Sequence, residues 1–369
     1  MSSPTFPQLG AGLPRRRVFA IAGALLTASA LAACGDDDED GAPTTSASGG
    51  AEAGTIRLGY FPNITHAPAL VGVDKGLFAE ALGSTKLDAK TFNAGPAAIE
   101  ALISGAIDAT YIGPNPAINS WAQSKGRSLK IIAGSTSGGA GLVVKPAING
   151  PADLKGKKIA TPQLGNTQDV ALRAWLKSNN LTANAQGGGD VSVLPQDNAT
   201  SLQAFQQGSI DGAWLPEPFL SRFQLEAGAK LLVNEKDLWT STSGQFVTTH
   251  LIVSQDFLKK SPGTVTKLIQ GHLKALEFIK SNDADAQKAA NAQIAALSGK
   301  PLKDNVLAAA FKNLTFTADP IAASLYTSAK HAEEVGLLKS VDLKGIYDLN
   351  ALNQLLTTAG QPTVSDAAA

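Results

Sequence analysis

The 369-residue sequence has one cysteine, Cys34, and only four histidines. A single thiol cannot close an internal disulfide, so a disulfide-stapled scaffold and any multi-cysteine metal site are excluded. His66, His250, His272 and His331 are widely separated and form no recognisable zinc motif. Charge is sparse as well. Lys plus Arg and Asp plus Glu number 31 each, so the formal net charge is zero, and charged residues make up 17% of the chain against 44% hydrophobic. That balance excludes the basic field of a nucleic-acid binder and a highly charged unfolded chain. A globular body remains, long enough for about two domains of roughly 150 residues.

The zero charge is a sum of unlike parts. Arg15, Arg16 and Arg17 precede Cys34 with no acidic residue, and residues 35–54 hold six acidic residues and no basic one. Residues 55–369 keep 28 basic and 25 acidic residues, a net +3. After the arginines comes an apolar run, Val18–Ala33, whose 16 residues are short for a membrane span and suit a secretory signal. It ends in Leu31-Ala32-Ala33-Cys34, which resembles the lipobox of bacterial lipoproteins. The resemblance implies a signal peptide over 1–33, cleavage before Cys34, a lipidated Cys34, and export to the outer face of the cytoplasmic membrane. Acyl chains anchor by burying CH₂ groups at about 0.8 kcal/mol each. Arg16-Arg17-Val18-Phe19 also resembles a twin-arginine export signal, and a plain basic leader fits equally well. Residues 34–54, acidic and then rich in Gly, Ser, Thr and Ala, read as a disordered tether.

From Thr55 onward, short β-type runs alternate with helical ones, the pattern of parallel βαβ units. Ile56–Tyr60, Leu87–Phe92 and Ala109–Ile112 read as strands, with helices beginning near Ala67-Pro68 and Pro96. The same order recurs in Lys158–Thr161, a helix through Val170 and Leu176, a strand over Asp190–Leu194 and a helix over Thr200–Gln206. At an offset of 103, Ile99, Ala101, Gly105, Ile107, Asp108 and Tyr111 match Leu202, Ala204, Gly208, Ile210, Asp211 and Trp214. Each copy ends in a turn with two prolines, Pro114-Asn115-Pro116 and Pro216-Glu217-Pro218. Two α/β lobes of one design follow. After Thr249 the chain reads as mostly helical, opened by Ser261-Pro262, and it is expected to pack back onto the first lobe.

These segments resemble the substrate-binding lipoproteins of ABC importers, in the branch associated with sulfonates, taurine and nitrate. The resemblance is carried by the Gly59–Pro68 run, the Gly105-Ala106-Ile107-Asp108 joint, the Asp153–Lys158 stretch, Thr161–Thr167 and Asp211–Pro218. It implies a two-lobed periplasmic-binding-protein fold of type II, with two segments crossing between the lobes, here near Val143–Pro146 and Phe246–Leu251. The expected lobes are then 55–145 with 249–369, and 146–248. The implied partners are a small organic anion and a membrane permease driven by a cytoplasmic ATPase, with the protein a monomer, no nucleic acid and no cofactor.

Where a parallel strand ends and a helix begins, free N–H groups and the helix dipole suit an oxyanion. Candidate loops of this kind hold Asn63, Thr65 and His66; Ser135, Thr136, Ser137 and Gly138; and Gln163, Gly165, Asn166 and Thr167, with no Lys or Arg among them. A sulfonate offers three acceptor oxygens that neutral donors can satisfy. Tyr60, Tyr111 and Trp214 are candidates for an apolar wall; core packing explains Tyr60 equally well and is the less favoured reading for Tyr111 and Trp214, which occupy equivalent positions in the two repeats, and Asn115 sits in the first two-proline turn. Glu217 is either a first-turn carboxylate or a partner for an ammonium or heterocyclic N–H. His66 either donates to the anion or fixes its loop. Asp197-Asn198 and Ser261 read as helix caps.

Enzyme motifs are near misses. Gly150–Lys158 has the wrong spacing for a phosphate-binding loop, and Gly134-Ser135-Thr136-Ser137-Gly138 has threonine where a hydrolase elbow needs serine. The expectation is therefore a non-enzymatic binding protein for a sulfonate or taurine. The alternatives left open are a pyrimidine or other heterocycle as ligand, and a sensing module without transport.

Overall fold

A computed structural model describes residues 50–185 and 188–367. The signal run and Cys34 lie outside these residues. β1 (Thr55–Tyr60) is followed by α1 (Ala67–Asp74), in which Pro68 occupies the first turn where no N–H is needed. Next come α2 (Leu77–Leu82), β2 (Lys86–Thr91), α3 (Gly95–Ile103), β3 (Ala109–Ile112), α4 (Pro114–Gln123) and β4 (Leu129–Gly138). The chain then builds a second sheet from β5 (Ala140–Val144), β6 (Lys158–Thr161), α5 (Thr167–Ser178), β7 (Ser192–Pro195), α6 (Asn198–Gln206), β8 (Gly212–Pro216), α7 (Phe219–Ala227) and β9 (Lys230–Asn234). It returns through β10 (Val247–Ser254) to α8 (Gln255–Lys260), α9 (Pro262–Ser281), α10 (Asp283–Ser298), α11 (Asp304–Lys312), β11 (Leu314–Phe316), α12 (Ala322–Glu334) and α13 (Asn350–Thr358).

The first sheet has the order β11-β4-β10-β3-β1-β2 and the second β7-β6-β8-β5-β9. In each, the strand at the centre of the duplicated unit, β1 or β6, has parallel neighbours on both sides. Each sheet then takes one antiparallel crossing strand beside β3 or β8: β10 in the first, β5 in the second. One large core spans the first sheet and the helices that follow β10, so the C-terminal helices do pack on the first lobe. The second sheet is covered on its two faces by separate clusters, one holding Trp214 and Leu172, the other Phe205 and Phe223.

The internal repeat is physical. Asp108 Oδ2 accepts the Arg57 backbone N–H at 2.8 Å, and Asp211 Oδ2 accepts that of Lys158 at 3.0 Å. Each carboxylate also pairs with a cation whose other contact is the carbonyl of the preceding helix-ending glycine: Arg57 with Gly105, and Lys145 with Gly208. The Ile-Asp joint thus fastens the start of one strand to the start of its neighbour in both lobes.

Three expectations are corrected. The first crossing lies at Gly138–Ala140 and not at Val143–Pro146, because β5 already belongs to the second sheet; the second-lobe strands therefore begin before residue 146. Gly138 and Gly139 make that crossing with φ of 84° and 69°, a conformation costly for any residue with a Cβ. The run Ser135–Gly138 is not a strand-to-helix loop but the end of β4, paired with β10 and β11. The tether also stops short of residue 54. Ala51 O accepts from Gly263 N, Ala53 N donates to Thr264 Oγ1 at 2.8 Å, and Glu52 pairs with Lys267 at 2.6 Å, so these residues dock on α9.

Candidate functional site

The carboxyl ends of the parallel strands of both sheets face one cleft. Its lining comes from the turns after β1 (Phe61, Asn63, Thr65, His66), β2 (Asn93, Gly95), β3 (Gly113, Pro116), β6 (Pro162, Asn166, Thr167, Gln168), β7 (Asn198) and β8 (Pro216), together with Thr248 and Thr249 of β10. The remaining hollow is about 30 Å³, room for about one water. Four side-chain oxygens that line it, Asn63 Oδ1, Thr167 Oγ1, Asn198 Oδ1 and Thr249 Oγ1, are buried without a hydrogen-bond partner. Each such group costs on the order of 1–3 kcal/mol unless something satisfies it. Two come from each lobe.

The cleft is lined by neutral groups alone. It nonetheless has an electrostatic sense, because the N-terminal ends of α3, α4, α5 and α6 converge on it through Gly95, Gly113, Thr167 and Asn198. Helix N-termini carry positive partial charge and unpaired N–H groups.

His66 is a neutral donor here. Its Nδ1 accepts the Phe61 backbone N–H at 3.3 Å, which leaves the proton on Nε2, and its ring stacks on Phe61 at 4.3 Å. Burial pushes its pKa down to about 3. Behind it stands Tyr111, 6.4 Å between ring centroids, whose hydroxyl donates to His272 Nδ1 at 2.8 Å; His272 Nε2 in turn donates to Gly134 O at 2.8 Å. His66 both fixes its loop and faces the cleft.

Of the sequence candidates, Asn63, Thr65, His66, Asn166 and Thr167 are brought together. The others lie elsewhere. Tyr60 and Tyr111 are in the core of the first lobe, and Trp214 is fully buried in that of the second, with its Nε1–H on Glu235 Oε2 at 2.8 Å. Tyr111 and Trp214 sit before the carboxyl ends of β3 and β8 and point into the sheet–helix layers, and Tyr60, the last residue of β1, is buried in the first-lobe core, so these aromatics form no cleft wall. Asn115 donates to Ser328 O at 3.3 Å. Ser135 and Thr136 are buried in β4, Ser137 Oγ accepts from Phe246 N at 3.1 Å, and Gly138 O accepts from Thr248 Oγ1. Gln163 and Gly165 lie in the turn before α5 without lining the hollow.

Glu217 lies one residue before the N-cap of α7 and not in its first turn. It accepts from Ser221 N and Oγ at the start of α7, and from Asn313 Nδ2 across the lobes at 2.7 Å. Burial raises its pKa. Asp197 caps α6 by accepting from Ala199 N and Thr200 N, which frees Asn198 for the cleft. Ser261 precedes α9 without a side-chain cap bond. Phe61, Asn93, Gln168, Asn198, Thr248 and Thr249 went unselected in the sequence. All but the two threonines follow the carboxyl end of a parallel strand, a position that singles them out if the rule is applied to every strand.

The chain is similar to known binding proteins. It is 26% identical over 286 residues to the taurine-binding periplasmic protein of Escherichia coli (strain K12), covering 74% of this chain and 85% of that one. A putative aliphatic sulfonates-binding protein of Bacillus subtilis (strain 168) is 26% identical over 307 residues, with 82% and 88% covered. Among solved structures, the alkanesulfonate-binding protein SsuA of Xanthomonas axonopodis pv. citri, bound to MOPS, superposes with a TM-score of 0.64 at 23% identity, covering 79% of this chain and 96% of that one. That likeness shows the fold, the two-lobed one of periplasmic binding proteins. The model of the NMT1-like family matches residues 49–296, and this chain belongs to that family.

Proposed function

We propose that this protein is the extracytoplasmic substrate-binding component of an ABC importer, and that it holds the sulfonate group of a small organic anion between its two lobes. The observation that carries the reading is the cleft itself: four helix N-termini and four unpartnered side-chain oxygens from two lobes, with no charged side chain among the lining. A fully ionised tetrahedral headgroup can accept hydrogen bonds from hydroxyls, side-chain amides and His66 Nε2–H without a buried cation. Asn63 and Asn198 serve by turning their NH₂ groups toward the guest. The relatives named for taurine and aliphatic sulfonates support this ligand class.

In this reading the lobes open about the crossings at Gly138–Ala140 and between β9 and β10, admit the anion, and close on it. The closed form is presented to a permease with a cytoplasmic ATPase. The protein performs no chemistry on its ligand, and Cys34 carries the lipid that holds it at the membrane. Phe61, Pro116, Pro162 and Pro216 supply the apolar wall for a short tail. A heterocycle would call for aromatic faces and a carboxylate, and Trp214, Tyr111 and Glu217 do not line the cleft.

The test is a thermal-shift and calorimetric panel of ethanesulfonate, taurine, nitrate, sulfate and thiamine precursors. A ligand at 100 times its Kd stabilises by about 2.7 kcal/mol. A response to sulfonates is expected. A response to a heterocycle with none to any sulfonate overturns the proposal.

A further inference from the structure

A second hollow, of about 250 Å³, shares no lining residue with the cleft. Its walls come from α5 (Trp175), from the turn that follows β9 (Glu235, Leu238, Trp239) and from α12 (His331, Glu334), so both lobes contribute. The rings are held in place. Trp239 stacks on Phe246 at 5.4 Å and tilts against His331 at 5.9 Å, and Trp175 tilts against Trp214 at 6.1 Å. Leu238 is 47% exposed at the rim.

The floor is a carboxylate in an unusual position. Glu235 is 2% exposed, its Oε2 receives the indole N–H of Trp214 at 2.8 Å, and Trp239 lines the same hollow. Among the described residues it has no ion pair with Lys or Arg. A buried carboxylate without a countercharge is costly, and one indole donor leaves acceptor capacity on both oxygens. Around it the lining holds a second carboxylate, Glu334, and no Lys or Arg. Lys330 lies 4.0 Å from the Glu334 carboxylate, and the Lys177 ammonium meets the Glu334 carbonyl. His331 is neutral near pH 7, since burial lowers its pKa.

Aromatic faces around a buried carboxylate attract a cation with an apolar body. We propose that this hollow is a second binding site, for a small organic ammonium ion, with the charged head on Glu235 and the hydrocarbon part between Trp175 and Trp239. Its volume suits a single ring or a short alkyl chain. Because Trp175 belongs to one lobe and His331 to the other, an occupant fastens α5 to α12 and favours the closed arrangement.

The test uses three probes of one shape: benzylammonium, benzyl alcohol and benzoate, titrated into the protein by calorimetry with tryptophan fluorescence followed in parallel. Benzylammonium is expected to bind saturably, benzyl alcohol at least about tenfold more weakly, and benzoate not at all. Trp175→Ala, at a half-buried position, should weaken benzylammonium at least about tenfold without loss of ethanesulfonate binding. Glu235→Gln should abolish the preference for the ammonium over the alcohol. The proposal is overturned by equal binding of alcohol and ammonium, by binding that Trp175→Ala leaves unchanged, by no saturable binding, or by displacement of ethanesulfonate, which would put the cation in the cleft. Failure of all sulfonates to bind bears on the cleft and not on this site.

Discussion

Gly113 of the first lobe and Thr167 of the second meet across the cleft so closely that a Cβ on Gly113 would lie 2.5 Å from Thr167 Oγ1. Gly113 has φ of −72° and ψ of 163°, which alanine adopts without strain. Gly113→Ala should therefore act as a wedge. The free protein is expected to melt within about 0.5 kcal/mol of the parent, while sulfonate affinity measured by calorimetry falls at least about tenfold, roughly 1.4 kcal/mol. Unchanged affinity would show that the lobes do not close this far on a guest.

Thr249→Val and Asn198→Ala remove oxygens that have no partner in the protein. Neither costs an intramolecular hydrogen bond of that atom, so the melting temperature of the free protein should hold or rise slightly. Each should weaken ligand binding by about 1 kcal/mol, read as a fivefold or greater rise in Kd.

Trp214→Ala and Asn166→Ala separate packing from binding. Trp214 is wholly buried, so its truncation should cost about 3–5 kcal/mol in denaturant unfolding. Asn166 accepts the Gln168 N–H at 3.2 Å as the N-cap of α5 and also lines the cleft. Its alanine variant should lose about 1 kcal/mol of stability and ligand affinity together.

Acid should destabilise the fold from about pH 6.5 downward. His66, His250 and His272 are pushed by burial to about 3, 3 and 4, from an ordinary value of 6.5. Each is neutral when folded and takes up a proton on unfolding, so its contribution is present above pH 6.5 and lost as pH falls toward those values. Glu235 opposes them. Burial pushes it up to about 7, so its contribution is present at acid pH and lost as pH rises from about 4.5 through 7. His331, which burial also lowers, adds to the histidines, and Glu217, which burial also raises, adds to Glu235; the histidines outnumber the acids, so stability falls as pH drops from 6.5 to 4.5. His250, both of whose ring nitrogens lack partners, isolates the effect: His250→Leu should flatten the dependence of melting temperature on pH.

The duplicated unit was legible because its chemistry is local. A glycine ends each helix, an Ile-Asp joint starts the next strand, and Asp108 and Asp211 do the same work in each lobe. The strand-to-helix turns at Asn63–His66 and Asn166–Thr167 were legible for the same reason. Ser135–Gly138 misled, since a Ser/Thr/Gly run reads as a loop until β10 and β11 pair with it from more than a hundred residues away. Tyr111 and Trp214 were rightly matched to each other, and their shared role is internal: each buried ring ties its polar tip to a buried titratable partner, His272 or Glu235.

The sequence by itself determined an α/β chain of two like lobes, because hydrophobic period, capping residues and turn chemistry act over a few residues and need no distant partner. Tertiary structure alone decided which polar groups are left unpaired. Glu217 found Asn313 and Ser137 found Phe246, whereas Asn63, Thr167, Asn198 and Thr249 were brought from four separate turns and strands to one cleft with nothing to bond. A binding site of this kind is a remainder, the set of buried donors and acceptors that folding does not satisfy, and that remainder exists only once both lobes are in place.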